Sequence, residues 1–304
     1  MSRTPTDVDL VRRLLTSQHP RWADLPVRPV ASGGTDNDLY RLGDDLVVRL
    51  PVVAWSVDDV AKEQRWLPVL APHLPLAVPV PVAAGVPDEG FAAPWSVYRW
   101  LPGQDASATP PEDPVRAARG LAAFVQALHA VDATGAPLAG PSNRGVALAA
   151  RDAPTRTALA SLTDELDVGA GLALWQAALS AAPHAGPPAW VHGDLHPGNL
   201  LVDDGRLTGV LDFGSLSCGD PAVDLLPAWH LEPDARQAYR DALQVDDDAW
   251  LRGRGWGLSV AVVALAFYRE PHPLVATSRH VVAQVLADQT APSRSSVAGS
   301  GSPA

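Results

Sequence analysis

The run Val191-His192-Gly193-Asp194-Leu195-His196-Pro197-Gly198-Asn199-Leu200-Leu201-Val202, followed by Leu211-Asp212-Phe213-Gly214, constrains this chain more than any other feature. It supplies a carboxylate at Asp194, a carboxamide at Asn199 and a second carboxylate at Asp212, each beside a short apolar run. A phosphoryl-transfer site needs this set: one Asp to accept the proton of an attacking hydroxyl, and an Asn and an Asp to hold magnesium on nucleotide phosphates. The flanks give the order a physical reason. Ala189 to Val191 reads as a short buried strand entering the loop, and Asn199 to Val202 as the strand leaving it. Arg206 to Asp212 reads as its partner across an Asp203-Asp204-Gly205 turn. Such a hairpin would gather Asp194, Asn199 and Asp212 at one end of a rigid scaffold. Magnesium, a hard cation, commonly takes one or two carboxylates there and fills its octahedron with phosphate oxygens and water.

Competing readings of the same residues are weaker. His192 and His196 stand four apart, a zinc spacing on a helix, but Gly193, Pro197 and Gly198 disfavour a helix across them. An isolated Asp-Phe-Gly is a common turn sequence. The ordered set with strand-like flanks is far more specific. His192 is assigned a structural role, orienting the loop. The spacing from Asp194 to Asn199 is that of the kinase catalytic loop, with Gly193 where protein kinases carry Arg.

The loop His192 to Asn199, the triplet Asp212-Phe213-Gly214, the segment Gly219-Asp220-Pro221-Ala222-Val223-Asp224-Leu225 and, upstream, Trp95-Ser96-Val97-Tyr98-Arg99-Trp100-Leu101-Pro102-Gly103 together resemble the aminoglycoside phosphotransferase family of antibiotic and small-molecule kinases. The resemblance runs from about Val30 to about Arg269. It implies an α+β, bilobal, protein-kinase-like fold with a small β-rich N-lobe and a larger, mostly helical C-lobe. The expected division is 1–102 for the nucleotide-binding lobe and hinge, 103–290 for the helical lobe, and a disordered tail at 291–304. It also implies magnesium, ATP or GTP as donor, and transfer to a hydroxyl of a small molecule, an aminoglycoside-like or other antibiotic. The alternatives are a metabolic kinase with a sugar or amino-alcohol acceptor, and a non-catalytic nucleotide-binding protein. Carried over residue by residue, Asp194 would be the base, Asn199 and Asp212 the metal ligands, and Asp224 an acid steadying the loop. The nucleobase would lie against the hinge backbone of Arg99 and Leu101, with Val47 as roof and Tyr98 at the back.

Composition agrees with a large enzyme core: 304 residues, 47% of them hydrophobic. The one cysteine, Cys218, excludes an internal disulfide and fits a reducing, cytoplasmic setting. No signal-peptide core and no membrane-length apolar run occur, so no membrane association is expected. A net charge of −11 argues against nucleic-acid binding and mildly favours cationic acceptors. Oligomeric state is open, with a monomer favoured. A single lysine, Lys62, stands among 23 basic residues.

Along the N-terminal part, Asp7 to Ser17 shows helical periodicity, and Val27–Ala31, Asp38–Leu42 and Asp45–Leu50 read as strands. Between the first two strands, Ser32-Gly33-Gly34-Thr35-Asp36-Asn37 offers backbone amides and hydroxyls that could approach phosphates, although an ordinary hairpin loop has the same composition. No Walker loop or Gly-x-Gly-x-x-Gly occurs. On the third strand, Val47 and Arg49 share one face. Arg49 stands where kinases carry the phosphate-clamping lysine, and Glu63 is its expected partner on a helix from Ser56 to Leu70, with Ser56-Val57-Asp58-Asp59 as a variant capping box. Arginine keeps the charge and adds a bidentate fork, but is longer and planar. A plain surface ion pair is the alternative.

After a Pro-rich connector (Pro72 to Pro87), Ser96 to Leu101 reads as a strand that ends at a Pro102-Gly103 crossover; Trp100 suits the core or the nucleotide pocket. Helices are expected at Pro114–Val131, Arg151–Leu162, Gly171–Ala182, Asp234–Leu243, Asp246–Gly253 and Gly257–Tyr268. Acceptor candidates are Trp229, His230, Glu232, Asp234 and Glu270, where carboxylates would suit amino sugars.

Overall fold

The computed structural model describes residues 3–31, 36–140, 144–268 and 272–289. The tail from Ala291 lies outside them. The fold is α+β and bilobal, of the protein-kinase type.

The N-terminal half is built on a five-stranded antiparallel sheet. Helix α1 (Val8–Gln18) is capped by the Asp7 carboxylate, which accepts Leu10 N–H at 2.7 Å, and sets Leu10, Val11, Leu14 and Leu15 into the core. Strands β1 (Val27–Val30), β2 (Asn37–Leu42) and β3 (Leu46–Pro51) follow as a meander. Helix α2 spans Ser56–Leu70. Ser56 does not cap it: its hydroxyl reaches back to the carbonyls of Asp36 and Val53, so no capping box forms, and Trp55 holds the N-cap position. Strand β4 (Pro81–Gly85) lies inside the stretch read as a connector, and β5 is Trp95–Arg99. The order β1-β2-β3-β5-β4 explains why β4 was hidden. It is an edge strand, where proline's missing N–H is tolerated, above all at the first residue. Val48 and Leu50 of β3 face a core with Trp95 and α1, while Val47 packs on the other side against the larger core.

Past the crossover come β6 (Gln104–Asp105), then α3 (Pro114–Ala130), α4 (Asp152–Ala160) and α5 (Val168–Ser180). Two small sheets carry the loop singled out above. Strand β7 (Ala189–Val191) pairs with a strand missed in the sequence, β10 (Ser217–Gly219). Between them lies the hairpin β8 (Leu200–Asp203) and β9 (Arg206–Val210), with β6 at its edge. A ten-residue 3₁₀ helix, Pro221–His230, then leads to α6 (Pro233–Leu243), α7 (Asp247–Phe267) and α8 (Pro273–Gln289). Neither the 3₁₀ helix nor α8 was foreseen. The two helices expected at 246–253 and 257–268 are one.

Glycines caused that error. A glycine inside a helix costs about 1 kcal/mol relative to alanine, which argues for a break. Here tertiary packing overrides propensity, because α7 crosses the fully buried Trp229 at Gly257, where an added Cβ would lie 2.4 Å from the indole Cδ1. The indole cannot retreat, since its Nε1–H donates to the Gly253 carbonyl at 3.2 Å. Gly257→Ala therefore gains helix propensity but overpacks the core, and a net loss of about 1–2 kcal/mol is expected. A thermal unfolding midpoint below that of the parent protein checks this; an unchanged or raised midpoint contradicts the packing argument.

Candidate active site

The loop from His192 to Asn199 is held from below by one carboxylate. Asp224, fully buried, accepts the N–H of His192 at 3.0 Å and of Gly193 at 2.8 Å, and its Oδ2 lies 3.1 Å from His129 Nε2. Gly193 has φ +77°, a left-handed conformation that a side chain resists, which accounts for glycine at this position. The His192 ring finishes the turn. Its Nδ1 accepts Asp194 N–H at 3.2 Å, so Nε2–H donates to Leu211 O at 3.0 Å, and its ring centre lies 4.7 Å from that of the tilted Phe213 ring. One imidazole thus ties the first carboxylate's backbone to the strand that leads to the second.

Asn199 closes the set by donating its side-chain N–H to Asp194 O at 2.9 Å, which leaves its amide oxygen as the group able to face a cation. Asp212 sits at φ +60°, with one oxygen accepting Gly214 N–H at 3.2 Å and 48% of its side chain exposed to the cleft. Asn199 and Asp212 offer hard oxygen donors and nothing soft, which suits magnesium shared with phosphates. No group of three or more His, Cys, Asp or Glu residues able to hold a metal occurs among the described residues.

Above the cleft, Arg49 Nη1 donates to both Glu63 oxygens, at 2.7 and 2.6 Å, and Arg49 Nη2 lies 3.8 Å from Asp212 Oδ1. Tyr98 donates its hydroxyl to Glu63 Oε2 at 2.6 Å. The pair is therefore buried and braced, unlike the surface ion pair held open above. Burial opposes the Arg49 charge, yet Glu63, Tyr98 and Asp212 outweigh it and raise its pKa further. Burial and Glu63 push the Tyr98 hydroxyl up, so it stays a donor. Lys62 forms a second strut, donating to Asp59 at 2.9 Å and to the Gly214 carbonyl.

At the crossover, Trp100 N–H bonds Asp45 O at 2.8 Å, so by the strand alternation the backbone groups of Arg99 and Leu101 face the opposite edge. Val47 pairs with Tyr98 beside them. Trp100 is not in the buried core: it lies half-buried beneath the Arg41 guanidinium, whose carbon stands 4.0 Å from the ring centre. Ser32, Gly33, Gly34 and Thr35 lie outside the described residues.

A cavity of about 340 Å³ opens beside Asp194, walled by His196, His230, Arg144, Arg151 and apolar residues of α7 and α8. Of the acceptor candidates among the described residues, His230 alone lines it. Trp229 is buried core, Glu232 and Asp234 are exposed at the start of α6, and Glu270 lies outside the described residues. Burial lowers His196 and takes His230 down to about 3, so both are neutral at physiological pH.

Sequence reasoning missed Arg144. It comes from a loop far from the motif, with no pattern around it, and its Nη1 donates to Gly193 O at 3.2 Å and to the Asp194 carboxylate. Burial works against ionisation of Asp194, but the charge and hydrogen bond of Arg144 lead the groups that outweigh it and hold the carboxyl below its ordinary value. Removing Arg144 leaves burial dominant. Arg144→Gln should therefore move the Asp194 titration, followed by carboxyl NMR, upward toward neutral pH. No movement would mean that the ion pair does not form in solution.

The sequence pattern of the phosphotransferase enzyme family matches residues 27–256. Among solved structures, the fold resembles wild-type aminoglycoside 2'-phosphotransferase-IIIa in its GDP complex, at 20% identity over 93% of this chain and 100% of that one, TM-score 0.71. It also resembles macrolide 2'-phosphotransferase MphH from Brachybacterium faecium, solved as the apoenzyme, at 27% identity over 95% and 100%, TM-score 0.59. Among curated proteins, the uncharacterised YcbJ of Bacillus subtilis (strain 168) is 28% identical over 159 residues, which is 51% of this chain and 49% of that protein. That match spans about half the length of the curated relative.

Proposed function

Since the chain belongs to the phosphotransferase enzyme family, we propose that it transfers the γ-phosphate of ATP or GTP to a hydroxyl of a small molecule. The observation that carries this reading is the convergence of Asp194, Asn199 and Asp212 on one end of the β8–β9 hairpin, below a buried Arg49–Glu63 pair.

Asp194 is the base. Held ionised by Arg144, it orients the acceptor hydroxyl and takes its proton as the phosphoryl group moves in line. Asn199 and Asp212 would hold magnesium, which neutralises phosphate charge. Arg49, fixed by Glu63 and Tyr98, presents its remaining donors toward the phosphates and takes the place of the usual lysine. The nucleobase lies between Val47 and the backbone edge of Arg99 and Leu101, with Tyr98 behind. The loop Ser32-Gly33-Gly34 is assigned to the phosphates on sequence alone. Phosphoryl transfer asks mainly for positioning and charge stabilisation, and this scaffold supplies both. Similar solved structures include one with GDP and kanamycin bound and one with ADP bound, which supports a purine nucleotide donor and a small-molecule acceptor.

Magnesium-dependent release of ADP or GDP, stimulated by a hydroxyl-bearing acceptor and abolished by chelation, is the expected activity. Asp194→Ala should abolish turnover while nucleotide affinity stays within a few-fold. If the variant loses nucleotide binding instead, Asp194 is structural. If the parent protein neither binds nor turns over either nucleotide, it is a non-catalytic relative of these kinases.

A further inference from the structure

The net charge of the chain and the charge of its acceptor cavity point in opposite directions. Among the described residues lining the cavity, the one carboxylate is Asp194, and Arg144 already occupies it. The remaining charge there is cationic. Arg144 uses Nη1 for Asp194 and Gly193 O and itself lines the cavity. Among the described residues, the Arg151 side chain makes no hydrogen bond or ion pair, and its buried Nε has no partner there. A guanidinium withdrawn from water with neither a counter-ion nor an acceptor is costly. Here burial and the neighbouring Arg144 both disfavour its charge. The opposite wall is apolar, formed by Val260, Ala264, Leu274 and Val281.

The loop that brings Arg144 here is fastened. Asp220 N–H donates to Gly145 O at 2.8 Å, and Ala139 N–H to Cys218 O at 2.8 Å, so strand β10 and the 3₁₀ helix cap hold its far side. Asp220 is in turn held by Arg252 at 2.8 Å. Arg151 ends a short 3₁₀ turn that begins at the buried Leu148. Both guanidiniums are thus placed by the fold beside the base.

We propose that the acceptor is an acidic amphiphile: a molecule with an apolar skeleton and an oxyanion, a carboxylate or a phosphate ester, bound at Arg151 and flanked by Arg144, with its hydroxyl at Asp194. This rests on the kinase reading above and narrows its acceptor. The guanidinium fork matches an oxyanion and completes the orphaned Arg151 Nε. A polycation would have to set ammonium groups against two arginines, which disfavours it. In the transfer, the acceptor hydroxyl gives its proton to Asp194, the new oxygen–phosphorus bond forms as the bond from Pγ to the β-phosphate oxygen breaks, and the nucleoside diphosphate leaves with that electron pair. The acceptor's own oxyanion is unchanged.

The test compares matched acceptors in the magnesium-dependent ADP and GDP release assay: hydroxyhexanoates and hydroxyoctanoates against their methyl esters, glycerol phosphate monoesters of alkyl chains against the parent alkylglycerols, and kanamycin and a macrolide. The acids should have kcat/KM at least about tenfold above their neutral partners, as expected for a charge-assisted fork. The carboxylate and phosphate pairs separate the two sources of the oxyanion. Arg151→Gln should raise KM for the acid until the acid-to-neutral ratio falls to about one, and Arg151→Lys should keep part of the preference. Equal use of acid and ester, or stimulation by kanamycin or the macrolide alone, overturns the acidic acceptor while leaving the kinase intact.

A binding measurement covers the case in which no member of the panel is phosphorylated. Anilinonaphthalene sulfonate, an apolar anion with no hydroxyl, should bind the parent protein saturably and at least about tenfold more weakly to Arg151→Gln. Equal affinity for the two proteins overturns the proposal. Loss of magnesium-dependent nucleotide binding in the parent protein would count against the kinase reading itself, independently of the dye result. Circular dichroism of both Arg151 variants separates loss of the site from loss of the fold.

Discussion

Asp224 is the group on which the catalytic end of this molecule depends. A carboxylate with no exposure to solvent persists only if its oxygens are satisfied, and here two consecutive backbone N–H groups and a histidine satisfy them. The consequence is geometric. Two adjacent amides pointing at one carboxylate force the chain into a tight turn, Gly193 supplies the left-handed residue that the turn requires, and Asp194 emerges from it toward the cleft. Tyr239 donates to the backbone carbonyl of Asp224 at 2.7 Å, so helix α6 anchors the anchor. Removing one partner from such a buried set leaves unpaired polar groups, which costs about 1–3 kcal/mol for each. The turn is therefore specified by electrostatics and hydrogen bonding more than by apolar packing.

The same arrangement connects the two halves. His192 links the turn to Leu211 and so to the strand ahead of Asp212. From Asp212 the chain of contacts rises to Arg49 at 3.8 Å, then through Glu63 to Tyr98 at the back of the sheet. Lys62, one residue before Glu63, crosses to Gly214, one residue beyond Phe213. Helix α2 thus bears two adjacent charged residues that serve opposite purposes: Glu63 holds the cation of the upper half, and Lys62 grips the backbone of the lower. A chain with one lysine has placed it where a compact, strongly hydrated donor bonds a carbonyl and a carboxylate together, and has set at position 49 an arginine whose two terminal nitrogens reach Glu63 and Asp212.

The reach of sequence reasoning follows from the range of the forces involved. The loop and hairpin that carry Asp194, Asn199 and Asp212 were legible because loop, strand and turn are local and close in sequence; Asn199 bonds the Asp194 carbonyl, and Leu211 N–H bonds the Asn199 carbonyl. The Arg49–Glu63 pair was legible because strand and helix periodicities fix which face each occupies. Strand β4 was obscured by prolines that would break an interior strand and are tolerated at an edge. Ser56 was taken for a cap because a hydroxyl before a helix usually accepts from the following turn; here it donates backward to Asp36 O and Val53 O. The single helix α7 was divided in two because its glycines look like punctuation until Trp229 is seen pressed against them. In each miss a tertiary contact overrode a local preference.

The cavity proposed for the acceptor lies beyond that reach for a related reason. Its wall is assembled from the loop at Arg144, the turn at Arg151, the end of the 3₁₀ helix at His230, and the facing sides of α7 and α8. No two of the first three lie within one secondary-structure period of each other, so no spacing announces them. Overall charge is a poor substitute, because a net −11 spread over an exposed surface is screened within about 10 Å at ordinary salt. Two guanidiniums in a partly buried cavity, with neutral histidines beside them, set the local field instead. The donor half of such an enzyme is constrained by one invariant chemistry and can be read from a few residues. The acceptor half is constrained by whatever molecule it receives, and its recognition groups become visible when the fold brings them to the same cavity.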